Sequence, residues 1–331
     1  MNLTLGVLLP YWTRLLCMLL ATGAVAYVAG AVLASAAAPL VVRRMQTWQD
    51  GAPERAGGIA LTLRLSPLIA AALASVVLCL PSYMWLEPRR GHAEYMSPIC
   101  LGLALAGVAG LGWMALRAAR AAVAGQRFRR RAQASGQSCE IQGRRVRVLT
   151  GAVPSMAVSG VWHPVLTVSQ TAHLQLSPEQ LSVGIAHEGA HVTARDNLKR
   201  LLILTTPLAG AAARALEETW ARLAEWAADD RAVAGDAPRS LALAETLVTL
   251  ARLSTQSACT PVLALASALE RGWGSELSER VARLLAFERA PRPPRRQQPW
   301  LGYAIVGVVL WAMLQPTTLL TAHAVLERLV R

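Results

Sequence analysis

The chain has 331 residues, 54% of them hydrophobic, with a mean hydropathy of +0.36 and a formal net charge of +13. That is too apolar for an ordinary water-soluble protein. The charge alone would admit a nucleic-acid binder, but the arginines crowd into 117–131 and 289–296, beside long apolar runs, where positive-inside charge belongs.

Apolar runs occupy residues 15–42, 59–86, 98–116 and 300–322. Each is long enough to cross a bilayer as a helix of about 20 residues. The expectation is a mostly α integral membrane chain: four transmembrane helices, with one large polar segment between the third and fourth, both of whose ends face the cytoplasm. Before the first run the only basic residue is Arg14, while Arg43 and Arg44 follow it. That is the reverse of a secretory signal, so the run reads as an uncleaved span with its N-terminus outside. Arg64, near the inner end of the second run, is expected to snorkel to the interface. Trp12, Trp85 and Trp300 fall near run ends, where aromatic belts form, and His92 reads as a solvated loop residue. Cys17, Cys79, Cys100, Cys139 and Cys259 show no paired spacing, so no disulfide framework or metal knuckle is implied and they read as packing residues.

Past the third run, residues 120–131 read either as a basic helix on anionic lipid or as a solvated linker. Alternation then predicts strands over 145–149, 157–161 and 165–168, with Trp162-His163-Pro164 turning between the last two. The small sheet precedes a helix whose start is written locally. Ser177 is placed to cap, Pro178 takes the first helical position, and Gln180 can close a capping box. Leu181, Ile185, Val192 and Leu198 recur at roughly helical spacing, predicting an apolar side.

Within that helix stands His187-Glu188-Gly189-Ala190-His191. Histidines four apart lie one above the other on one face, so both imidazoles can reach one ion. With Glu188 beside them this is the zincin spacing: the pair binds zinc and the glutamate is general base to water. Gly189 weakens the helix unless it permits a close approach. A catalytic zinc needs a third protein ligand, to be sought downstream. Residues 201–213 are apolar but half a span long and interrupted by Pro207, so they read as a buried or membrane-dipping connection. The helix over 216–233 follows. In it Glu225 and Asp229, at i and i+4, suit a third ligand and a carboxylate orienting a ligand histidine; the alternative is a solvated acidic face. Asp196, one turn past His191, is a further candidate to orient a histidine. An edge strand beside the site could hold a peptide by strand addition. His163 and His173 read as surface or packing residues, with a third ligand or an oxyanion contact as the alternative. Helices over 238–253 and 276–288 complete the segment, and the Pro-rich 291–296 breaks regular structure.

The ordered series GVWHPVLTVSQ, LSPEQLSVGIAHEGAHVTARDN, Glu225-Trp226-Ala227-Ala228-Asp229 and SERVARLL resembles the BlaR/MecR-type membrane zinc peptidases over about residues 153–288. The resemblance implies a gluzincin, an α+β zincin domain, in a bacterial inner membrane with its site facing the cytoplasm. It implies one Zn2+ per chain on His187, His191 and Glu225, and Glu188 as base. The expected boundaries are 1–116 for a three-span region, 117–136 for a basic juxtamembrane linker, 137–298 for the metallopeptidase domain, and 299–331 for the fourth span and a short outer tail. Two departures matter. No penicillin-binding sensor domain follows the last run, and the one lysine, Lys199, stands in no Ser-x-x-Lys motif. β-Lactam sensing by this polypeptide is therefore not expected. His163 stands where the family carries a basic residue before proline and is retained as a candidate substrate or oxyanion contact. The partners expected are a protein or peptide substrate, regulatory by analogy, and the lipid bilayer, with a homo-oligomer left open and no nucleic acid. A housekeeping or CAAX-type membrane zincin and a non-catalytic transducer with a structural zinc are the alternatives.

Overall fold

The structure, a computed structural model, describes residues 7–48, 53–87, 94–141, 143–150, 155–256, 273–289 and 300–330. His92, Cys259 and the Pro-rich stretch 291–296 lie outside the described residues. The chain is mostly helical. Three of its helical stretches, Tyr11–Met45, Pro53–Leu86 and Pro98–Phe128, are long and apolar enough to cross a membrane.

A short strand β1 (Val7–Leu9) pairs antiparallel with β2 (Glu94–Met96) and joins the N-terminal ends of the first and third stretches. Helix α1 (Tyr11–Trp48) has 38 residues, about 57 Å at 1.5 Å per residue, so it overreaches a hydrocarbon core of about 30 Å. The second rod comprises α2 (Pro53–Ala72), a π-helical stretch Leu73–Cys79, and α3 (Leu80–Leu86). The wider turn precedes Pro81, which has no N–H to continue the α ladder. Close approach holds the rods together. A Cβ on Gly30 would meet Pro67 Cα at 2.9 Å, and one on Gly107 would meet the Leu20 carbonyl oxygen at 2.7 Å. Such small-residue contacts let helix backbones pack where apolar burial supplies little attraction. Outward-facing Leu33, Leu40 and Leu105 are about 70% exposed, as lipid-facing side chains would be.

Of the two readings of residues 120–131 the chain takes the helical one: α4 (Pro98–Ser135) continues through the basic stretch without a break. Alanines and arginines are good helix formers, and nothing in 117–135 stops the ladder. The fourth run is not one straight span. It is α11 (Trp300–Met313) followed by α12 (Pro316–Val330), and within this pair Val306–Met313 and Pro316–Arg328 are bent by 62°. Pro316 cannot donate to α11 and biases Gln315 away from helix, so a new helix starts at the proline. Arg64 does not snorkel. It is 2% exposed, and its Nε and Nη2 donate to Glu217 Oε1 at 2.9 and 2.7 Å while Nη2 also reaches the carbonyls of Ile203 and Thr206 at 3.1 Å.

Those partners come from α7 (Asp196–Thr205) and α8 (Ala211–Val233), whose connection around Pro207 is wedged beside the first two rods. Tyr27, within the apolar part of α1, donates its hydroxyl to the Pro207 carbonyl at 2.6 Å. The connection is held against the bundle at Thr206 and Pro207, while Ala209 and Gly210 are exposed. Beside it, Met45, Ala56 and Ala60 pack against Ile203, Trp220, Leu223 and Trp226, fastening α8 to the C-terminal end of α1 and the N-terminal end of α2. Large buried side chains there, such as Leu223 and Ile203, stabilise by about 1.5–3 kcal/mol each.

The small sheet is mixed: β3 (Gly136–Ile141), β4 (Arg144–Leu149), β5 (Met156–Ser159) and β6 (Val165–Ser169), in the order β3-β4-β6-β5. Only the β4–β6 pairing is parallel, with Val146 opposite Leu166. Strand β3 lacks β-branched alternation and was not predicted; it forms because the Gly143 turn, at φ +74°, folds it back on β4. Strand β5 stops two residues short of the expected 161 because Gly160 takes φ +101°. Val146 and Val168 cover Leu181 and Ile185 of α6 (Pro178–Ala194), together with Ala172 of α5 (Gln170–Gln175). Val192 is instead exposed and Leu198 belongs to α7, so the apolar side of α6 is shorter than its spacing predicts. On the far side, α6 and α8 meet α9 (Ala237–Gln256) and α10 (Trp273–Arg289) through Val183, Val233, Leu243 and Leu284.

Candidate metal centre

Helix α6 starts with the capping box its sequence predicts. Ser177 Oγ accepts from the Gln180 amide at 3.2 Å, and Gln180 Oε1 accepts from the Ser177 amide at 3.1 Å. Removing such a cap costs about 1 kcal/mol. Glycines give α6 close neighbours. A Cβ on Gly184 would stand 2.9 Å from the Met156 side chain of β5, and Gly189 admits the guanidinium of Arg144 from β4. The close approach at Gly189 is therefore by a side-chain tip.

His187 and His191 stack edge to face, their ring planes 86° apart and their Nε2 atoms separated by 3.3 Å. Glu225 of α8 faces both: Oε2 is 3.4 Å from His187 Nε2 and Oε1 is 3.6 Å from His191 Nε2. Three donor atoms thus converge on one point, on groups that could hold a metal ion. Bonds of 2.0–2.1 Å at a tetrahedral ion place ligand atoms about 3.3 Å apart, so the spacing fits zinc.

Each imidazole has a carboxylate at its other nitrogen. His191 Nδ1 bonds Asp196 Oδ2 at 2.8 Å, and Lys199 Nζ donates to the second Asp196 oxygen at 2.9 Å. Asp196 reaches back because Arg195 adopts a left-handed conformation, φ 55°, ψ 39°, which ends α6 and starts α7 in one residue. His187 Nδ1 lies 3.0 Å from Asp229 Oδ1, but the approach misses hydrogen-bonding alignment. The reason is Arg280, whose Nε and Nη2 take Asp229 Oδ2 and Oδ1 at 2.9 and 2.6 Å.

The electrostatics follow. Burial opposes the imidazolium of His187, yet the carboxylates of Asp229 and Glu225 beside it outweigh that and push the pKa up to about 9. His191 is likewise disfavoured by burial but carried up to about 10 by Asp196 and Glu225. Burial raises Asp229, but Arg280 and His187 reverse that and bring it down to about 2. Against the same burial, the two histidines and Arg280 hold Glu225 well below the usual carboxylate range. Glu188 moves the other way, raised by burial despite the nearby imidazoles. A carboxyl raised in this manner suits proton transfer near neutrality.

The centre opens into a cavity of 320 Å³. Met156, Ala157 and Val158 of edge strand β5 form one wall, and Leu243, Leu247, Leu250 and Leu277 form an apolar one. Asn197 Nδ2 ties β5 to α7 by donating to the carbonyls of Val158 and Gly160 at 3.2 and 2.9 Å.

Of the residues singled out in the sequence, the structure brings together His187, Glu188, His191, Glu225, Asp229 and Asp196 around this cavity. It does not bring His163, which is exposed in the turn before β6 and does not line the cavity, or His173, which lies on α5. The turn is steered away because Gly160 packs onto the His163 carbonyl. Sequence reasoning missed Arg280, whose Nη1 also contacts Glu225 Oε2 at 3.2 Å, and Arg200, 3.4 Å from Glu225 Oε1. One signal existed for the first: Arg280 and Arg283 stand one turn apart on α10, matching the consecutive acids Asp229 and Asp230 that they pair with. The chain matches no family model, no curated protein and no solved structure.

Proposed function

We propose that the chain is a membrane-embedded zinc endopeptidase of the BlaR/MecR type, cutting a cytosolic or membrane-proximal protein of a regulatory kind. The observation that carries this reading is the double arrangement of the histidines: Nε2 atoms 3.3 Å apart facing Glu225, with carboxylates on the Nδ1 side. A histidine whose Nδ1–H faces a carboxylate keeps an Nε2 lone pair for a metal. One Zn2+ would be held by His187, His191 and Glu225, and when bound it supplies Lewis-acid polarisation of a carbonyl and of water.

The protein's own groups do the rest. Strand β5 is the sheet edge beside the centre, and an extended peptide would lie along the part of it near Met156 that Asn197 leaves uncovered, its side chains alternating into the apolar wall of Leu243, Leu247 and Leu250. Glu188, raised by burial, takes a proton from water as its oxygen bonds to the scissile carbon. The same carboxyl returns that proton to the amine nitrogen as the C–N bond breaks. Asp196 and Asp229 keep both imidazoles oriented throughout. The arginines at 117–131 favour a cytoplasmic centre in a bacterial inner membrane.

The test compares new protein N-termini in membranes and cytosol of cells carrying the wild type or Glu188→Gln. The expected result is a set of fragments that vanish in the variant while zinc content is retained. Fragments that persist in Glu188→Gln, or none in either strain with both proteins well expressed, would move the zinc site to a non-catalytic role.

A further inference from the structure

A second convergence of ligating groups lies at the other end of the bundle. The first centre is tied to α1 near Met45, whereas this one is tied to it at Arg14, 31 residues away, about 46 Å along a helix. Glu87 caps the C-terminus of α3 in extended backbone, and His323 and Glu327 stand one turn apart on α12. His323 Nε2 is 3.7 Å from Glu87 Oε2 and 3.7 Å from Glu327 Oε1, and all three ligand atoms lie within 4.8 Å of one another.

The surroundings orient the ligand atoms. Arg14 pairs with the other Glu87 oxygen, Oε1, and donates from Nε to the Tyr83 hydroxyl at 3.0 Å. That fixes the carboxylate so that Oε2 is the atom turned to His323. The side chain of Glu327 is 46% exposed and those of Glu87 and His323 are 11% and 17% exposed. An ion would therefore have a path from water and room for a water ligand. One imidazole nitrogen with two carboxylate oxygens suits a borderline ion such as Zn2+ and not Ca2+ or Mg2+, which take oxygen shells. Reaching the tetrahedral spacing of about 3.3 Å asks a closure of about 0.4 Å at each His323 contact and of up to about 1.5 Å between the two carboxylates, and the side chain of Glu327, at the exposed side of the cluster, would make it.

We infer that Glu87, His323 and Glu327 form a second metal site, for a divalent transition cation of the zinc class, fastening α12 to the outer end of the second long helix. It shares no residue with the first centre, so the two stand or fall separately. The test uses the full chain in lipid nanodiscs, stripped by chelator, in a His187→Ala/His191→Ala background. Co2+ is titrated and read by the visible absorption of the tetrahedral ion. One equivalent should bind, be displaced by Zn2+, vanish with His323→Ala and weaken about tenfold or more with Glu327→Gln. Circular dichroism checks that the variants fold, and the exposed Glu327→Gln change keeps the test decisive if His323→Ala does not. Co2+ binding that is absent from the double variant, or unchanged by either substitution in a folded chain, overturns the site.

Discussion

Both ends of the bundle hold histidine against carboxylates, and they differ in what stands behind the histidine. At His191 the rear nitrogen meets Asp196, which is itself held by Lys199. At His187 it faces Asp229, clamped by Arg280. At His323 the rear nitrogen, Nδ1, is buried with no hydrogen-bond partner among the described residues. Carboxylates behind ligand histidines fix ring orientation and raise basicity, and losing one costs about 10–100-fold in metal affinity. On the proposed reading, the His187–His191 centre would hold an ion tightly and the Glu87–His323–Glu327 cluster would exchange it.

The sharpest way to break this contrast is to remove a proposed ligand. Glu225→Ala should weaken zinc binding about a thousandfold, roughly 4 kcal/mol, as read by competition with a chromophoric chelator. A fully zinc-loaded Glu225→Ala protein would move the third ligand elsewhere. The next largest effect tests the rear shell itself. Asp196→Asn keeps shape but cannot hold a proton-donating Nδ1 as a carboxylate does, so affinity should fall about 10–100-fold with all three ligands in place. No change would erase the distinction between the two ends.

The pH dependence sharpens the contrast further, because two quantities move in opposite directions. The raised pKa values of His187, about 9, and His191, about 10, mean that the folded state favours their protonated forms. In chelator, the stability they contribute is full below the unfolded value of about 6.5 and is lost as pH rises through 9 to 10. Zinc must displace those protons, so over the same window its affinity should climb, up to about tenfold per pH unit for each proton released. Thermal midpoints with and without zinc, taken from pH 6 to 10, should therefore diverge steadily. Parallel curves would contradict the carboxylate-held histidines.

What was readable beforehand was local. The Ser177 cap, the His187–His191 spacing and the Glu225–Asp229 spacing are set within a turn or two of one helix, where geometry follows from periodicity. What was not readable depends on the path of the chain. Arg64 finds Glu217 across 153 residues, and Arg280 finds Asp229 across 51. The wedge of α7 and α8 beside the first two rods makes the first pair, and the packing of α10 on α8 makes the second, for which the spacing of Arg280 and Arg283 is the one local hint. His163 sits near the site in sequence but is turned away by Gly160, and the bend at Pro316 needed weighing against an apolar run that otherwise reads as one span.

The smallest predicted effect lies at Arg195, the single residue between α6 and α7. Its left-handed backbone costs a non-glycine residue about 1–2 kcal/mol, and that strain is what brings Asp196 onto His191. Glycine adopts this conformation freely but also loosens the unfolded chain, a loss of about 0.4–1 kcal/mol. Arg195→Gly should therefore stabilise the fold by under about 1 kcal/mol, seen as a slight rise in thermal midpoint, with zinc affinity unchanged. Arg195→Val tests the same joint in the other direction, since a β-branched residue tolerates the left-handed region poorly. It should lower the midpoint and, by pulling Asp196 off Nδ1, weaken zinc binding as Asp196→Asn does. If the valine variant destabilises the fold yet binds zinc normally, the left-handed turn is only a helix end, and Asp196 owes its place to Lys199 and its own burial.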